Sequence, residues 1–293
     1  MKIGLFGKDC HIEKQKSIQT LFEKLKALHS EIYVERGFYN FLKMQLPTLP
    51  SINGWIESEP FRLDLIISWG GDGTFLRTAA WVGPQNIPIL GINTGRLGFL
   101  ADINTEDIEI TLDEIFRQDY TVEKRSVLEL ESNPPFYGTN NYALNEIAIL
   151  KRDTSSMITI HASLNNEYLT NYLGDGLLVA TPTGSTAYSM SVNGPIIVPQ
   201  ANNFVLSPVA PHTLNVRPLV IPEDYNIRLK VESRNNNFLV ALDGRSEIYP
   251  SGSEFIIRKA GFSINLVKRY PHSFYETLRK KLLWGADLRE GEK

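Results

Sequence analysis

The sequence predicts two domains: an α/β N-terminal domain with a mostly parallel, Rossmann-like sheet, and an all-β, sandwich-like second domain. A C-terminal helix is expected to return to the first. Three observations predict this. The length of 293 residues suits two domains of about 150 residues each. Up to residue 121, short apolar runs alternate with helical stripes, the pattern of a parallel sheet with crossover helices. From residue 122, strand-like runs follow one another with turn clusters between them, until helical spacing resumes after Pro271. The expected boundaries are 1–121 plus 269–293 for the α/β domain and 122–268 for the β-rich domain.

Residues 2–7 form a short apolar strand, and Ile18, Leu21, Phe22, Leu25 and Leu28 then recur at three- and four-residue steps, one face of a helix. Residues 31–35 read as a strand. The stretch 44–60 holds Pro47, Pro50, Gly54 and Pro60 and reads largely as loop. An apolar strand over 63–69, a helix over 75–81 and a strand over 87–92 follow, then a loop over 93–100 with Gly95 and Gly98. In a parallel sheet that loop rises on the same edge as the residues after Trp69. Residues 106–116 read as an amphipathic helix. Strands are expected over 122–130, 142–150, 158–164, a buried run after Gly176, 214–221, 227–231, 238–242, 254–257 and 264–267. Phe274, Leu278 and Leu282 lie four apart in the terminal helix, and 288–293 reads as a mobile tail.

Hydrophobic residues make up 42% and charged residues 22%, an ordinary globular balance. The net charge of −3, without long basic blocks, speaks against nucleic acid or a membrane surface as partner. One cysteine, Cys10, precludes an intramolecular disulfide; beside only His11, it reads as a buried thiol before a nucleophile. The apolar start at 1–7 is too short for a signal peptide, and no run approaches the roughly 18 apolar residues of a membrane span. A cytoplasmic protein is the expectation.

The chemistry concentrates in three places. Gly70-Gly71-Asp72-Gly73-Thr74 lies between a strand and a helix start. Such a turn offers unpaired N–H groups to phosphate oxygens, and glycine lets the main chain approach an anion. Asp72 sets a carboxylate among them, which repels phosphate unless it serves chemistry or a metal. Gly-Asp-Gly is also ordinary turn chemistry, but a hairpin needs an alternating strand beyond it, and 75–81 does not alternate. The pentapeptide matches neither G-x-G-x-x-G nor G-x-x-x-x-G-K-[ST]. A phosphate-handling turn is favoured, and a structural turn stays open.

Asn145-Glu146 interrupts an apolar strand, with side chains on opposite faces. A buried carboxylate is costly unless donors face it. Ribose hydroxyls or an adenine amino group would serve; an exposed Glu, or one paired to a structural Arg, fits the spacing equally. Gly174-Asp175-Gly176 opens a buried run that ends in Thr181-Pro182-Thr183-Gly184-Ser185-Thr186-Ala187-Tyr188-Ser189-Met190-Ser191. Its hydroxyls suit sugar and phosphate recognition without added charge, and Tyr188 is suited to stack on a base. A solvated Ser/Thr loop is the plainer alternative.

Together these motifs resemble the signature set of the NAD kinase family, as do Ala210-Pro211-His212-Thr213-Leu214 and Arg217-Pro218-Leu219, in matching order from residue 1 to about 285. Diacylglycerol and sphingosine kinases and, more distantly, phosphofructokinases share the first motif; the Thr-Pro-Thr-Gly-Ser-Thr-Ala-Tyr run is far more particular. The resemblance implies ATP-dependent phosphorylation of the 2′-hydroxyl on the adenosine ribose of NAD, giving NADP. It implies that Asp72 activates the hydroxyl, that Gly73 and Arg77 help hold nucleotide phosphates, and that Gly70, Gly71 and Thr74 shape the phosphate turn. Asn145, Glu146, Asp175, Thr186, Ala187, Tyr188, Ser189, Met190 and Ser191 would bind NAD. Mg²⁺ is expected with the phosphoryl donor, and a homodimer or homotetramer is expected by family analogy.

Two positions depart from the family pattern. Many members carry Arg two residues before the Asp matching Asp175, where this chain has Leu173. Many carry Gln after the Asp-Gly matching Asp243-Gly244, where this chain has Arg245, which could reach phosphate and alter how NADP is held. A soluble lipid kinase is the alternative enzyme, although no interfacial helix is evident. A non-catalytic dinucleotide sensor is the other alternative, against which the presence of Asp72 stands. The donor (ATP, another nucleotide or polyphosphate) and the use of NADH stay open.

Overall fold

A computed structural model describes residues 1–7, 15–46, 48, 50–56, 62–95, 98–136, 140–152, 156–270 and 273–285. Cys10, His11, Pro47, Pro60, Arg96, Leu97, Pro271 and the 288–293 tail lie outside the described residues. The chain begins with β1 (Lys2–Gly7), α1 (Gln15–Ala27), β2 (Glu31–Glu35), α2 (Arg36–Gln45), β3 (Gly54–Ile56), β4 (Leu65–Trp69) and α3 (Asp72–Val82). It continues through β5 (Ile89–Asn93), β6 (Ile103–Asn104), α4 (Ile108–Phe116), β7 (Tyr120–Arg125), β8 (Leu128–Asn133), β9 (Tyr142–Ala143), β10 (Glu146–Lys151), β11 (Ile158–Leu164) and β12 (Glu167–Gly174). Then come β13 (Gly176–Ala180), α5 (Tyr188–Ser191), β14 (Asn203–Val209), β15 (Leu219–Pro222), β16 (Ile227–Ser233) and β17 (Asn237–Leu242). β18 (Arg245–Pro250), β19 (Glu254–Lys259), β20 (Ile264–Arg269) and α6 (Phe274–Leu282) complete it. Two compact units result, residues 1–123 with 265–293 and residues 124–264. Among the described residues no helix is long and apolar enough to cross a membrane.

The first unit holds a sheet of order β3-β2-β1-β4-β5-β20-β7, with β6 beside β5. β1 to β5 are parallel neighbours, and β20 joins β5 in parallel. β4 and β5 are buried at every residue, which is why they read as continuous apolar runs rather than as alternation. The α1 stripe of Ile18, Leu21, Phe22 and Leu25 is buried as its spacing requires. Parallel pairing brings the ends of β1, β4 and β5 to one edge, where ligands sit in open α/β sheets. α6 belongs to this unit, with the Phe274 ring 6.3 Å from that of Phe99.

Several elements differ from the sequence expectation. α2 was not legible because its cap is a glutamate: the Glu35 carboxylate accepts the Gly37 and Phe38 amides at 2.8 and 2.7 Å, where Ser, Thr, Asp or Asn is the usual start signal. The expected loop over 44–60 contains the three-residue β3, too short to show a period. The run 122–130 is two strands: β7 completes the first sheet and β8 enters the second unit. β20, which reads as one more strand of the β series, lies in the first sheet.

The second unit consists of two antiparallel six-stranded sheets, β15-β14-β13-β10-β17-β18 and β12-β11-β16-β19-β8-β9. Ile147, Val179 and Leu206 of one and Ile160, Leu229 and Phe255 of the other share a single apolar core, as in a sandwich. β14 escaped notice because Pro208 sits in it, although it is buried over 204–208. β12 and β18 are rich in polar residues and take their place from pairing. Of the expected strand over 214–221 only the end is strand, and Leu214 is 89% exposed.

Candidate active site

In the first unit the chain leaves β4 at Trp69, and the Gly70 amide donates to the Ile92 carbonyl at 2.9 Å. Asp72 is the first residue of α3 rather than the middle of a free turn. The amides of Thr74 and Phe75 donate to the Gly71 carbonyl at 2.9 and 3.1 Å. Those of Asp72 and Gly73 precede these bonds, in the part of a helix that has no intrahelical acceptor. Space is open around Gly71 and Gly73, where an added Cβ would meet nothing within 4 Å. Amides without intrahelical acceptors are therefore accessible at the start of a helix, whose dipole favours negative charge there.

The carboxylate of Asp72 has its own partners. Oδ1 accepts the amides of Leu100 and Ala101 at 3.1 and 3.0 Å, and Oδ2 that of Phe99 at 2.9 Å. Lys281 Nζ on α6 lies 3.4 Å from Oδ2 and 4.4 Å from the centre of the Phe99 ring. Gly98 is required for this closure, because a Cβ there would stand 2.0 Å from Asp72 Oδ1. The next residue, Asp102, pairs with the fully buried Lys268 at 2.5 Å. The apparent conflict of a carboxylate in an anion-binding turn is thus resolved locally: consecutive amides and a lysine face its charge. The loop that read as a connector with two turn glycines supplies those amides.

Arg77 stands one helical turn beyond Gly73, exposed on α3. It borders a cavity of about 480 Å³ lined by Phe6, Gly7, Glu35, Phe38, Thr74, Thr78 and Trp81, among others. Aromatic walls beside one guanidinium suit a flat apolar group that carries an anion.

In the second unit β9 and β10 are separated by Leu144 and Asn145, so the expected strand over 142–150 is broken at the motif itself. Asn145 is 8% exposed, and neither its Oδ1 nor the buried Glu146 Oε2 has a hydrogen-bond partner among the described residues. The Tyr188 amide donates to the Glu146 carboxyl. Burial pushes the Glu146 carboxyl up to about 8; the neighbouring Asp243 carboxylate adds to this and the Tyr188 amide opposes it. Asn145 and Glu146, consecutive in sequence, thus each keep a buried acceptor atom whose hydrogen-bonding capacity is not met among the described residues.

Asp175 precedes β13, and its carboxylate pairs with Lys151 Nζ at 2.7 Å. The hydroxyl-rich segment folds into a 3-10 turn, Thr183–Thr186, and then α5. Its hydroxyls mostly bond other parts of the fold, and two bond within the segment, rather than being held free for a ligand as expected. Thr181 Oγ1 donates to the Leu144 carbonyl at 2.6 Å, Ser185 Oγ accepts the Ile197 amide at 2.7 Å, and Ser189 Oγ meets Ser207 Oγ at 3.0 Å. Ser191 Oγ donates to the Tyr188 carbonyl at 2.8 Å, and Thr186 Oγ1 to that of Thr183 at 3.4 Å. Ala187 and Met190 stay half-buried, and the Tyr188 ring is exposed.

Arg245 also differs from its expected role. Its Nε and two terminal nitrogens donate to the carbonyls of Leu242, Asn140 and Tyr142, so they bind main chain rather than phosphate. Leu173 is half-buried on β12 and offers only its carbonyl, to the His212 amide at 2.9 Å. Sequence reasoning missed Asp243, Lys281 and the 99–101 amides. Only Asp243 carried a signal: Asp-Gly between two strand runs marks a two-residue hairpin, and φ is +47° and +82° at Asp243 and Gly244.

Residues 3–120 match the family model of the ATP-NAD kinase N-terminal domain, and residues 144–269 that of the ATP-NAD kinase C-terminal domain. The chain is 52% identical over 289 residues to the NAD kinase of Bacteroides fragilis, covering 99% of this chain and 100% of that one. It is 49% identical over 288 residues to the NAD kinase of Porphyromonas gingivalis, with 98% and 99% covered. It is also similar to the crystal structure of an NAD kinase from Archaeoglobus fulgidus in complex with ATP: 26% identity, a TM-score of 0.76, and 97% and 99% of the two chains covered. Yeast NADH kinase complexed with NADH shares the fold at 22% identity and a TM-score of 0.89, over 100% of this chain and 90% of that one. With both halves matched and relatives near half identity over the full length, the chain belongs to the NAD kinase family.

Proposed function

We propose that this protein transfers the γ-phosphoryl group of ATP to the 2′-hydroxyl of the adenosine ribose of NAD, giving NADP and ADP. The observation that carries the reading is the pair of buried, donor-less acceptors Asn145 Oδ1 and Glu146 Oε2 in a chain that also bears the Asp72 turn. A ribose diol supplies hydroxyl donors for such acceptors, and full-length relatives named NAD kinase at 52% and 49% identity set the lipid-kinase alternative aside.

In this reading residues 1–121 and 269–293 bind the donor and 122–268 bind NAD. The Asp72 and Gly73 amides and Arg77 hold donor phosphates, and the aromatic cavity takes the base. A carboxylate offers about four acceptor positions; amides of 99–101 take three and Lys281 Nζ the fourth, which the substrate hydroxyl takes over from the lysine. The ribose oxygen forms its bond to the γ-phosphorus as its proton passes to Asp72, and ADP leaves. Mg²⁺ arrives as part of the nucleotide substrate, carried on its phosphate oxygens, and spreads the transferring charge. Asp175, the main chain of residues 186–191 and the Tyr188 ring complete the NAD site. We further place the enzyme in the cytoplasm as a homodimer or homotetramer.

The test is an NADP-formation assay across ATP, other nucleoside triphosphates and polyphosphate as donors, and NAD, NADH and a diacylglycerol as acceptors. Phosphorylation of NAD by MgATP is expected. Turnover of the lipid, or of no acceptor, would overturn the assignment.

A further inference from the structure

The segment 144–146 is held from two sides. From one side, Asp243 Oδ2 accepts the Leu144 amide at 2.7 Å, and Oδ1 accepts those of Asn145 and Glu146 at 2.8 and 3.1 Å. The Asp243 amide returns a bond to the Glu146 carbonyl at 3.2 Å. From the other side, Thr181 donates its hydroxyl to the Leu144 carbonyl at 2.6 Å and its amide to the Asn145 carbonyl at 2.9 Å. Gly184 packs directly beneath, where a Cβ would lie 2.1 Å from the Asn145 carbonyl oxygen. Each main-chain N–H and C=O of these residues therefore has a partner, while the two side-chain acceptors do not.

This arrangement does not follow from sheet pairing. In a regular β10, residues 144 and 145 would continue the ladder and point their side chains alternately. Asp243 instead captures consecutive amides that would otherwise point to opposite sides. The ladder breaks there, and Asn145 and Glu146 are presented from an irregular stretch. Asp243 reaches them from the hairpin tip, where its φ of +47° is the conformation a two-residue Asp-Gly turn requires. Arg245 ties down the preceding stretch through the carbonyls of Asn140 and Tyr142.

We propose that Asp243 is a positioning residue for NAD: by gripping the amides of 144–146 it fixes where Asn145 Oδ1 and Glu146 Oε2 stand to receive the ligand's hydroxyl or amino groups. It acts through those two residues without itself touching the ligand. The inference rests on the reading that this pair binds NAD.

The experiment is calorimetric NAD titration with parallel steady-state kinetics on Asp243→Asn, Glu146→Ala and the double variant. Asp243→Asn keeps shape but turns an N–H donor toward one of the three amides, so the segment is released on one side. The expected result is NAD affinity weaker by about tenfold to a hundredfold, with the KM for ATP within about twofold of wild type. The double variant should bind NAD more weakly than Glu146→Ala alone but by less than the two separate effects combined, because Asp243 acts partly through Glu146 and partly through Asn145. If Asp243→Asn does not fold, Thr181→Val, which frees the same segment from its other side, is read in the same way. Wild-type NAD affinity in the Asp243 or Thr181 variant, or full additivity in the double variant, overturns the positioning role. Wild-type NAD affinity in Glu146→Ala overturns instead the reading on which it rests.

Discussion

Lys281 Nζ stands 3.4 Å from Asp72 Oδ2, across 209 residues of sequence, with the Phe99 ring beneath it. Both side chains are about one-third exposed, so as an ion pair the contact contributes between nothing and about 1 kcal/mol. Its consequence lies in charge placement. In the proposed reaction the substrate hydroxyl takes the lysine's place on Asp72, and the displaced ammonium stays as a cation beside the phosphate turn. Lys281→Met is expected to lower kcat/KM for ATP by about tenfold to a hundredfold, the worth of one charge-assisted hydrogen bond, with a thermal midpoint close to wild type. Lys281→Arg should recover part of the loss. Unchanged initial rates at subsaturating ATP would exclude Lys281 from the reaction.

Asp72→Asn tests chemistry against structure. The asparagine oxygen can keep the Leu100 and Ala101 amides, but its NH₂ faces the Phe99 amide, at a cost of about 1–3 kcal/mol in stability. A moderate fall in the unfolding midpoint is therefore expected whatever the mechanism. Loss of the base is expected to reduce single-turnover NADP formation by about 10²–10⁴-fold while NAD affinity changes by less than about tenfold. A destabilised variant that turns over nearly normally would leave Asp72 as a loop anchor alone.

Gly98→Ala reaches the same carboxylate from outside the motif. Its Cβ would stand 2.0 Å from Asp72 Oδ1 and 2.8 Å from the Ala101 carbonyl oxygen, so the loop or the carboxylate must shift. Overpacking of this kind costs about 1–3 kcal/mol. We expect kcat to fall at least about tenfold with the KM for NAD little changed, since a misplaced base affects the chemical step. A variant with wild-type kcat would show that the 98–101 loop tolerates the shift.

Glu146 makes stability depend on pH in a direction opposite to an ion-paired carboxylate. Its carboxyl lies near 4.5 in the unfolded chain and at about 8 in the fold, through burial first and the Asp243 carboxylate second. The native state keeps a proton that the unfolded state releases. The associated stability is complete below about 4.5 and is lost as the pH rises through about 8, by up to about 1.4 kcal/mol per pH unit. Urea unfolding from pH 6 to pH 9 should show this decline in the ligand-free wild type and a flatter profile in Glu146→Gln. Equal slopes in both proteins would mean that Glu146 is ionised throughout.

Local pattern was enough to read much of this protein from its sequence. Continuous apolar runs at β4 and β5 and the α1 stripe define the α/β layer, because burial on two faces or on one leaves a period in the residues themselves. The serial strands after residue 122 announce the sandwich for the same reason. Gly70 to Thr74 and Asn145-Glu146 were visible as chemistry because glycines and buried carboxylates are costly without a purpose.

Tertiary structure decided what each of those residues touches. That β20 and β7 join the first sheet, that a glutamate caps α2, and that Pro208 sits within a buried strand depend on partners far away in the chain. The same holds at the site. Nothing near Asp72 in sequence foretells the amides of 99–101 or Lys281, and nothing near Asn145 foretells Asp243, 98 residues on. The hydroxyls of Thr181, Ser185 and Ser189 suggested a ligand but satisfy the fold, because a polar group enclosed in a core takes the nearest available partner. A sequence records which groups need a hydrogen bond or a counter-charge; only packing decides which other group supplies it, and so which acceptors remain for a ligand.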